Sequence, residues 1–166
     1  MAIIHNGIIE NYGALREELS KRGHVFKSDT DTEVLIHLIS NIQKNEKISL
    51  FDAVRIALNE VIGAYAIVVL DKNNPNQLIA AKKGSPLVIG LGQDKEFFVA
   101  SDATPIIEYT KNVIYLDDEE IAILDRNDGF TLMNIKNQKK TPYVQELEMQ
   151  LEVLEKGGYE HFMLKE

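Results

Sequence analysis

The chain has 166 residues, 45% hydrophobic and 27% charged, a composition typical of one soluble globular domain with a substantial core. Its 26 acidic and 18 basic residues give a net charge of −8, which argues against nucleic acid or an anionic membrane surface as a partner. The absence of cysteine excludes disulfides and thiolate metal sites. No signal peptide and no apolar run of ~20 residues is visible, so we expect a cytoplasmic protein that does not enter the membrane.

The first predicted element is a strand at the start of the chain, where three apolar residues precede Asn6-Gly7. Asn-Gly is ordinarily a turn signal. Apolar residues then recur at helical spacing, at Ile8, Tyr12, Leu15 and Leu19. The pattern therefore predicts a helix directly after Gly7 and no second strand to close a hairpin. At such a junction the Asn6 carboxamide and the Gly7 N–H can point the same way, and two convergent neutral donors suit an oxyanion formed in acyl transfer.

Three helices are predicted in the first third of the chain. The first covers residues 11–22 and ends at Gly23, which can adopt the left-handed conformation of a helix C-terminus. The second begins at an acidic turn, where Thr30 and Glu33 have the spacing of a capping box. The third follows Ser49, which repeats the capping pattern in a weaker form.

From Gly63 onward the pattern predicts short strands joined by turns. Residues 64–70 are apolar at consecutive positions, as in a strand buried on both faces. Further strands are predicted at residues 77–83, 87–91, 96–100, 113–116, 121–124 and 130–135. Ser101 to Ala103 predicts the cap of a short helix, residues 136–141 form a connector, and residues 146–154 have the spacing of a final helix.

Helices followed by antiparallel hairpins and a last helix indicate an α+β layered domain. No G-x-G-x-x-G follows a strand, which disfavours a Rossmann fold. Ser85 lies in no G-x-S-x-G elbow and is expected to be a turn residue. The four histidines, at positions 5, 24, 37 and 161, lack the spacing of metal ligands, so neither a metal nor a cofactor is expected.

Four segments are distinctive in their order and spacing: HNGIIEN at 5–11, TDTEV at 30–34, GSPLVIG at 84–90 and YEHFMLKE at 159–166. They resemble the glutaminase domain of the glutamine–fructose-6-phosphate aminotransferases, which are class II glutamine amidotransferases. The resemblance implies an N-terminal-nucleophile hydrolase fold, a four-layer αββα sandwich with antiparallel sheets, incomplete at its N-terminus. It also implies that residues 1–166 are part of this domain and end at the join to a sugar isomerase domain that this sequence lacks.

The resemblance implies roles for three residues. The Asn6 side chain and the Gly7 N–H would form the oxyanion hole for the side-chain amide of L-glutamine. Asp31 would bind the α-amino group of glutamine through a charge-assisted contact. Without the resemblance, Asn6-Gly7 is an ordinary turn and Asp31 is an ordinary carboxylate at a helix start. His5 is expected to be a packed or hydrogen-bonded residue and not a catalytic base.

The resemblance also implies a reaction. An N-terminal cysteine thiolate would attack the glutamine amide, form a glutamyl thioester and release ammonia. A second domain would then transfer the ammonia to fructose 6-phosphate and make glucosamine 6-phosphate, and the full-length protein is expected to be a homodimer. This sequence has no cysteine, and neither Met1 nor Ala2 can replace one, so we expect the chain alone to be inert. Loss of the first strands of a sandwich is also expected to expose a sheet edge, which favours association or marginal stability.

Three alternative functions stay open at this point. The chain could belong to another class II amidotransferase, such as an amidophosphoribosyltransferase or an asparagine synthetase. It could be an amino-acid-binding module that keeps Asn6, Gly7 and Asp31 without a nucleophile. It could also be a structural or interaction domain that binds no amino acid.

Overall fold

A computed structural model describes residues 1–147 of the chain. The helices are α1 (Tyr12–Lys21), α2 (Asp31–Glu46) and α3 (Leu50–Glu60). The strands are β1 (Ala2–Ile9), β2 (Gly63–Asp71), β3 (Asn74–Lys83), β4 (Val88–Leu91), β5 (Phe97–Ala100), β6 (Asn112–Tyr115), β7 (Glu120–Asp125), β8 (Gly129–Asn134), β9 (Lys139–Lys140) and β10 (Gln145–Glu146).

The strands form two antiparallel sheets. The first has the order β1-β2-β3-β7-β8-β9, and the second has the order β10-β6-β4-β5. Helices α1, α2 and α3 pack on one face of the first sheet, and their apolar side chains form a core with residues such as Ile67, Val69 and Ile79. A second apolar cluster, which includes Ala80 and Ile89, fills the space between the sheets. The predicted α+β architecture with antiparallel sheets is confirmed.

The helix caps follow the sequence pattern. The Thr30 hydroxyl accepts the Glu33 N–H, and the Ser49 hydroxyl accepts the Asp52 N–H, so each satisfies a backbone donor in the first turn of a helix. Gly23 has φ +87°, the conformation predicted for the residue that ends α1.

The predicted bounds of the first helix, 11–22, agree with α1 to within one residue at each end, but the prediction that a helix begins directly after Gly7 is wrong. Strand β1 continues through Gly7 to Ile9 and pairs along its whole length with β2, so Gly7 lies inside a strand and not at a strand-to-helix junction. Ile8, which the periodicity placed on a helix, is opposite Ala64 in this ladder, and its side chain is 69% exposed. Its pairing partner, β2, is more than fifty residues away in the sequence, and local periodicity cannot predict such a contact.

The structure also differs from the sequence prediction at two other helices. Residues 101–109 form consecutive bends and turns rather than a helix, because their four-residue hydrogen bonds, Ile107 N to Ala103 O and Thr110 N to Ile106 O, are not adjacent and Pro105 contributes no N–H. These turns still cover the outer face of the second sheet through Ala103 and Ile106. Glu146, the first residue of the predicted last helix, belongs to β10. The remainder of that helix and the 159–166 segment lie outside the described residues.

Candidate functional site

Asn6 and Gly7 lie side by side near the end of β1, at an edge of the first sheet as described. The Asn6 side chain is exposed and forms no hydrogen bond within residues 1–147, so its carboxamide is available to a ligand. Gly7 has φ +132°, and a Cβ at this position would lie 2.2 Å from the Ala64 carbonyl oxygen. Both the backbone angle and the close approach of β2 therefore require glycine.

The chain beyond Gly7 is held by contacts to the junction between α3 and β2. Asn11 precedes α1, but its side chain does not cap that helix. The Asn11 amide donates to the Glu60 carbonyl at 2.8 Å, and its carbonyl oxygen accepts the Ile62 N–H at 3.0 Å. Gly63 mirrors Gly7, since it has φ +128° and a Cβ there would meet the Ile8 carbonyl oxygen at 2.2 Å. These contacts fix the end of β1 against β2.

Asp31 is the first residue of α2, and its side chain reaches back to β1. Its Oδ2 accepts the backbone N–H of Ile9 at 2.9 Å, across a sequence separation of 22 residues. Ile9 follows Gly7 by two positions on β1. The contact therefore places Asp31, the predicted binding residue for the α-amino group, against the strand that carries the predicted oxyanion donors. The Asp31 side chain is 22% exposed, and a carboxylate has about four lone-pair positions, so it keeps capacity for a ligand.

His5 and Thr32 lie on the buried side of Asp31. The Nδ1 atom of His5 is 3.0 Å from the Thr32 hydroxyl and 3.8 Å from Asp31 Oδ1, and the Thr32 hydroxyl donates to that oxygen at 3.4 Å. The His5 side chain is only 2% exposed, and burial lowers its pKa, although the Asp31 charge partly opposes this shift. Burial thus favours the neutral ring, and His5 is hydrogen-bonded as the sequence predicted.

The loop before α2 is ordered by Glu33. Its carboxylate accepts the Ser28 hydroxyl at 2.6 Å and the backbone N–H groups of Lys27 and Ser28 at 2.7 and 2.6 Å. The Ser28 side-chain hydrogen bond, followed by these backbone bonds, lowers the pKa of Glu33 to about 2. The capping box is thus half formed: Thr30 caps α2, but Glu33 holds the preceding loop instead of returning to Thr30.

Asp29 lies in the same loop but has a different environment. Its carboxylate is fully exposed, and one of its oxygens is 3.4 Å from a guanidinium nitrogen of Arg16. Asp31 is tied to β1, so the structure distinguishes two carboxylates that stand two residues apart in the sequence.

Outside this site, residues 1–147 contain a surface cavity but no metal-ligand cluster. No three of their His, Asp and Glu side chains are placed to hold a metal ion. A cavity of about 620 Å³ opens on another part of the surface, where Asn76, Lys95, Phe97 and Arg126 contribute to its lining. No helix within residues 1–147 is both long enough and apolar enough to cross a membrane.

Sequence reasoning missed two contributors to this site. Thr32 received no role, although it flanks Asp31 in the Thr-Asp-Thr motif, and that repeated hydroxyl was the available signal. The Ile9 backbone N–H carries no sequence signal, because the contact depends on how α2 approaches β1.

The glutamine amidotransferase domain family matches residues 1–108 of the chain. Over its full 166 residues the chain is 57% identical to glutamine–fructose-6-phosphate aminotransferase (isomerizing) of Bacteroides thetaiotaomicron and 46% identical to the enzyme of that name from Thermotoga maritima. In both cases all of this chain is covered, but it spans only 27% of the relative.

The fold is similar to solved amidotransferase structures. Glutamine phosphoribosylpyrophosphate amidotransferase from B. subtilis, solved with ADP and GMP, superposes with a TM-score of 0.67 and 27% identity. The match covers 81% of this chain and 29% of that one. The helices and paired antiparallel sheets of the present chain thus have the N-terminal-nucleophile amidotransferase architecture. The family match and the shared fold together show that the chain belongs to the glutamine amidotransferase domain family.

Proposed function

We propose that this chain is part of the glutaminase domain of an enzyme that hydrolyses L-glutamine and transfers the ammonia to fructose 6-phosphate. Asn6 and the Gly7 N–H would hold the oxyanion formed at the glutamine side-chain amide, and Asp31 would bind the α-amino group. The observation that carries this proposal is the 2.9 Å contact between Asp31 Oδ2 and the Ile9 N–H, since it joins the two predicted halves of the site.

The chemistry of these groups fits the substrate. A neutral carboxamide and a backbone N–H stabilise a developing oxyanion without a proton transfer. A partly exposed carboxylate suits an ammonium group, because a charge-assisted hydrogen bond is about twice as strong as a neutral one. The identity of 57% along the whole chain favours the aminotransferase over other amidotransferases, since the phosphoribosylpyrophosphate amidotransferase is only 27% identical over 81% of this chain.

Titration calorimetry with L-glutamine tests the binding part of the proposal. Asp31→Asn keeps the shape and the acceptor for the Ile9 N–H but removes the charge, so we expect the Kd to rise about 10- to 100-fold. Asp29→Asn is the matched control, because it makes the same change at an exposed site and should alter the Kd by less than about twofold. Equal effects of the two substitutions would contradict the role of Asp31.

An ammonia-release assay tests the catalytic part. These 166 residues contain no cysteine thiolate, and removal of a nucleophile typically costs several orders of magnitude in rate. We therefore expect the chain alone to bind glutamine without releasing ammonia. Release above the rate in buffer would mean that another residue is the nucleophile.

The remaining parts of the proposal concern the longer protein. Residues 159–166 would mark the join to a sugar isomerase domain that binds fructose 6-phosphate. The longer protein would act in the cytoplasm as a homodimer, with no nucleic acid or membrane partner. A pull-down between differently tagged copies of the longer protein checks the dimer: recovery of one tag with the other is the expected result.

A further inference from the structure

We propose that His5 and Thr32 are positioning residues that fix the Asp31 carboxylate relative to Asn6 and Gly7. The inference rests on the proposed function and extends it to two residues that have no direct ligand contact in that scheme. Its basis is a chain of contacts from the His5 ring through the Thr32 hydroxyl to Asp31 Oδ1.

The direction of these hydrogen bonds follows from their donors and acceptors. The Thr32 hydroxyl has one proton, and it donates that proton to Asp31 Oδ1. Its oxygen must then accept from His5, so the neutral ring carries its proton on Nδ1. The His5 N–H donates to Thr32, and the Thr32 O–H donates to Asp31.

The two oxygens of Asp31 are thereby held from two directions. Oδ2 accepts the Ile9 N–H from the backbone of β1, and Oδ1 accepts the Thr32 hydroxyl. A carboxylate turns easily about its last side-chain bond, because that torsion has broad energy wells. Holding both oxygens removes this freedom and sets the direction in which the remaining lone pairs point.

His5 also connects the carboxylate to the oxyanion strand itself, since it directly precedes Asn6. The pair His5 and Thr32 spans 27 residues of sequence. A change in the position of β1 is therefore transmitted to Asp31 through the ring as well as through Ile9.

The environment of His5 does not favour stability alone. Its Nε2 atom is buried and has no hydrogen-bond partner among residues 1–147. A buried polar atom without a partner costs free energy, and an apolar residue of similar size would avoid that cost. The contact through Nδ1 gives a reason for histidine at this position.

Paired substitutions separate positioning from general stability. Thr32→Val and His5→Leu remove the hydrogen bonds with little change in volume. Thr32→Ser keeps the hydroxyl, and His5→Asn places an amide donor close to the position of Nδ1. Thr131→Val is the control, because Thr131 is half-buried on β8. The substitution removes the same hydroxyl group at a position far from β1.

The ligands for calorimetry are L-glutamine and glutaramate, which is glutamine without the α-amino group. If the two residues act through Asp31, Thr32→Val and His5→Leu should raise the Kd for L-glutamine about two- to tenfold and leave that for glutaramate unchanged. Thr32→Ser and His5→Asn should restore most of the affinity. Equal weakening of both ligands, or of neither, would overturn the inference.

A measurement without ligand keeps the two proposals distinguishable. Hydrogen exchange of the Ile9 amide reports its bond to Asp31, and Thr32→Val should accelerate it about two- to tenfold while Thr32→Ser and Thr131→Val do not. If the unsubstituted chain binds no glutamine, the proposed function fails, and this exchange rate still decides the positioning. An Ile9 rate unchanged by Thr32→Val would overturn the positioning whatever the glutamine result.

Discussion

Gly7 and Gly13 stand six residues apart, but only Gly7 has a conformation that excludes a side chain. Gly7 has φ +132°, and an added Cβ would lie 2.2 Å from the Ala64 carbonyl oxygen. A Cβ on Gly13, in α1, would meet no atom within 4 Å among the described residues, apart from its chain neighbours and the backbone of its own helix. The same residue type is therefore a requirement of the candidate site at one position and replaceable at the other.

Substitution of these glycines by alanine should have opposite effects. Gly7→Ala should lower the free energy of unfolding by about 2 kcal/mol or more, because strain at positive φ adds to a clash with rigid backbone. Gly13→Ala should leave it unchanged or raise it by up to about 1 kcal/mol, since alanine favours a helix. Urea unfolding of both variants checks this, and a Gly7→Ala protein as stable as Gly13→Ala would contradict the described geometry of β1.

Glu33 should make the loop before α2 sensitive to acid. Its pKa is lowered from 4.5 to about 2 by the hydrogen bonds from Ser28 and Lys27. The Glu33 carboxylate therefore takes up a proton less readily in the folded state than in the unfolded state. The stabilising effect of the ionised carboxylate is complete above pH 4.5 and is lost as the pH falls towards 2.

A comparison of Glu33→Gln with Glu108→Gln across this pH range tests the effect. Glu33→Gln should lower stability at neutral pH, and its difference from the unsubstituted chain should shrink as the pH falls from 4.5 to 2. Glu108 is exposed, and its substitution should give no such trend. A carboxyl titration by NMR with a midpoint near 4.5 for Glu33 would refute the explanation.

At the scale of elements, the caps of α2 and α3 were predictable because their signals are local. Thr30 and Ser49 each precede an apolar helical pattern, and each accepts the N–H three residues later. Strand β1 was not predictable to the same degree. The apolar spacing of Ile8, Tyr12 and Leu15 fits a helix, and the pairing of β1 with β2 that overrides it is not encoded nearby.

The Ser49 cap gives a prediction at this scale. Ser49→Ala should lower the free energy of unfolding by about 1 kcal/mol, because the Asp52 N–H loses its acceptor. Ser20→Ala removes an exposed serine within α1 and should be neutral or slightly stabilising. Thermal unfolding of the two variants measures the difference, and equal midpoints would argue against the cap.

At the scale of the whole molecule, the sequence indicated the layers and most strands, and the resemblance indicated the site. Alternating and consecutive apolar runs made β2 to β8 visible, with boundaries close to those observed. The meeting of Asp31 with β1 required the packing of α2, so only the resemblance connected Asp31 to Asn6 and Gly7. The His5 and Thr32 contacts were invisible for the same reason, since they join residues 27 positions apart.

The exposed face of β1 predicts how the 166-residue chain behaves in solution. Ile4 and Ile8 are 73% and 69% exposed on a strand at the edge of the described sheet, and such an edge favours pairing between molecules. We expect sedimentation to show concentration-dependent association, and Ile4→Thr with Ile8→Thr to reduce it while keeping the preference for a strand. A chain that stays monomeric at all accessible concentrations would contradict this prediction.

An NMR titration of the chain with L-glutamine tests the central claim most directly, because it locates the ligand on the protein. The account predicts that the Asn6 side-chain amide and the backbone amides of Gly7 and Ile9 shift on addition of L-glutamine and much less on addition of D-glutamine. Shifts confined to the cavity near Lys95 and Arg126, or no shifts at all, would contradict the assignment of Asn6, Gly7 and Asp31 as the glutamine site.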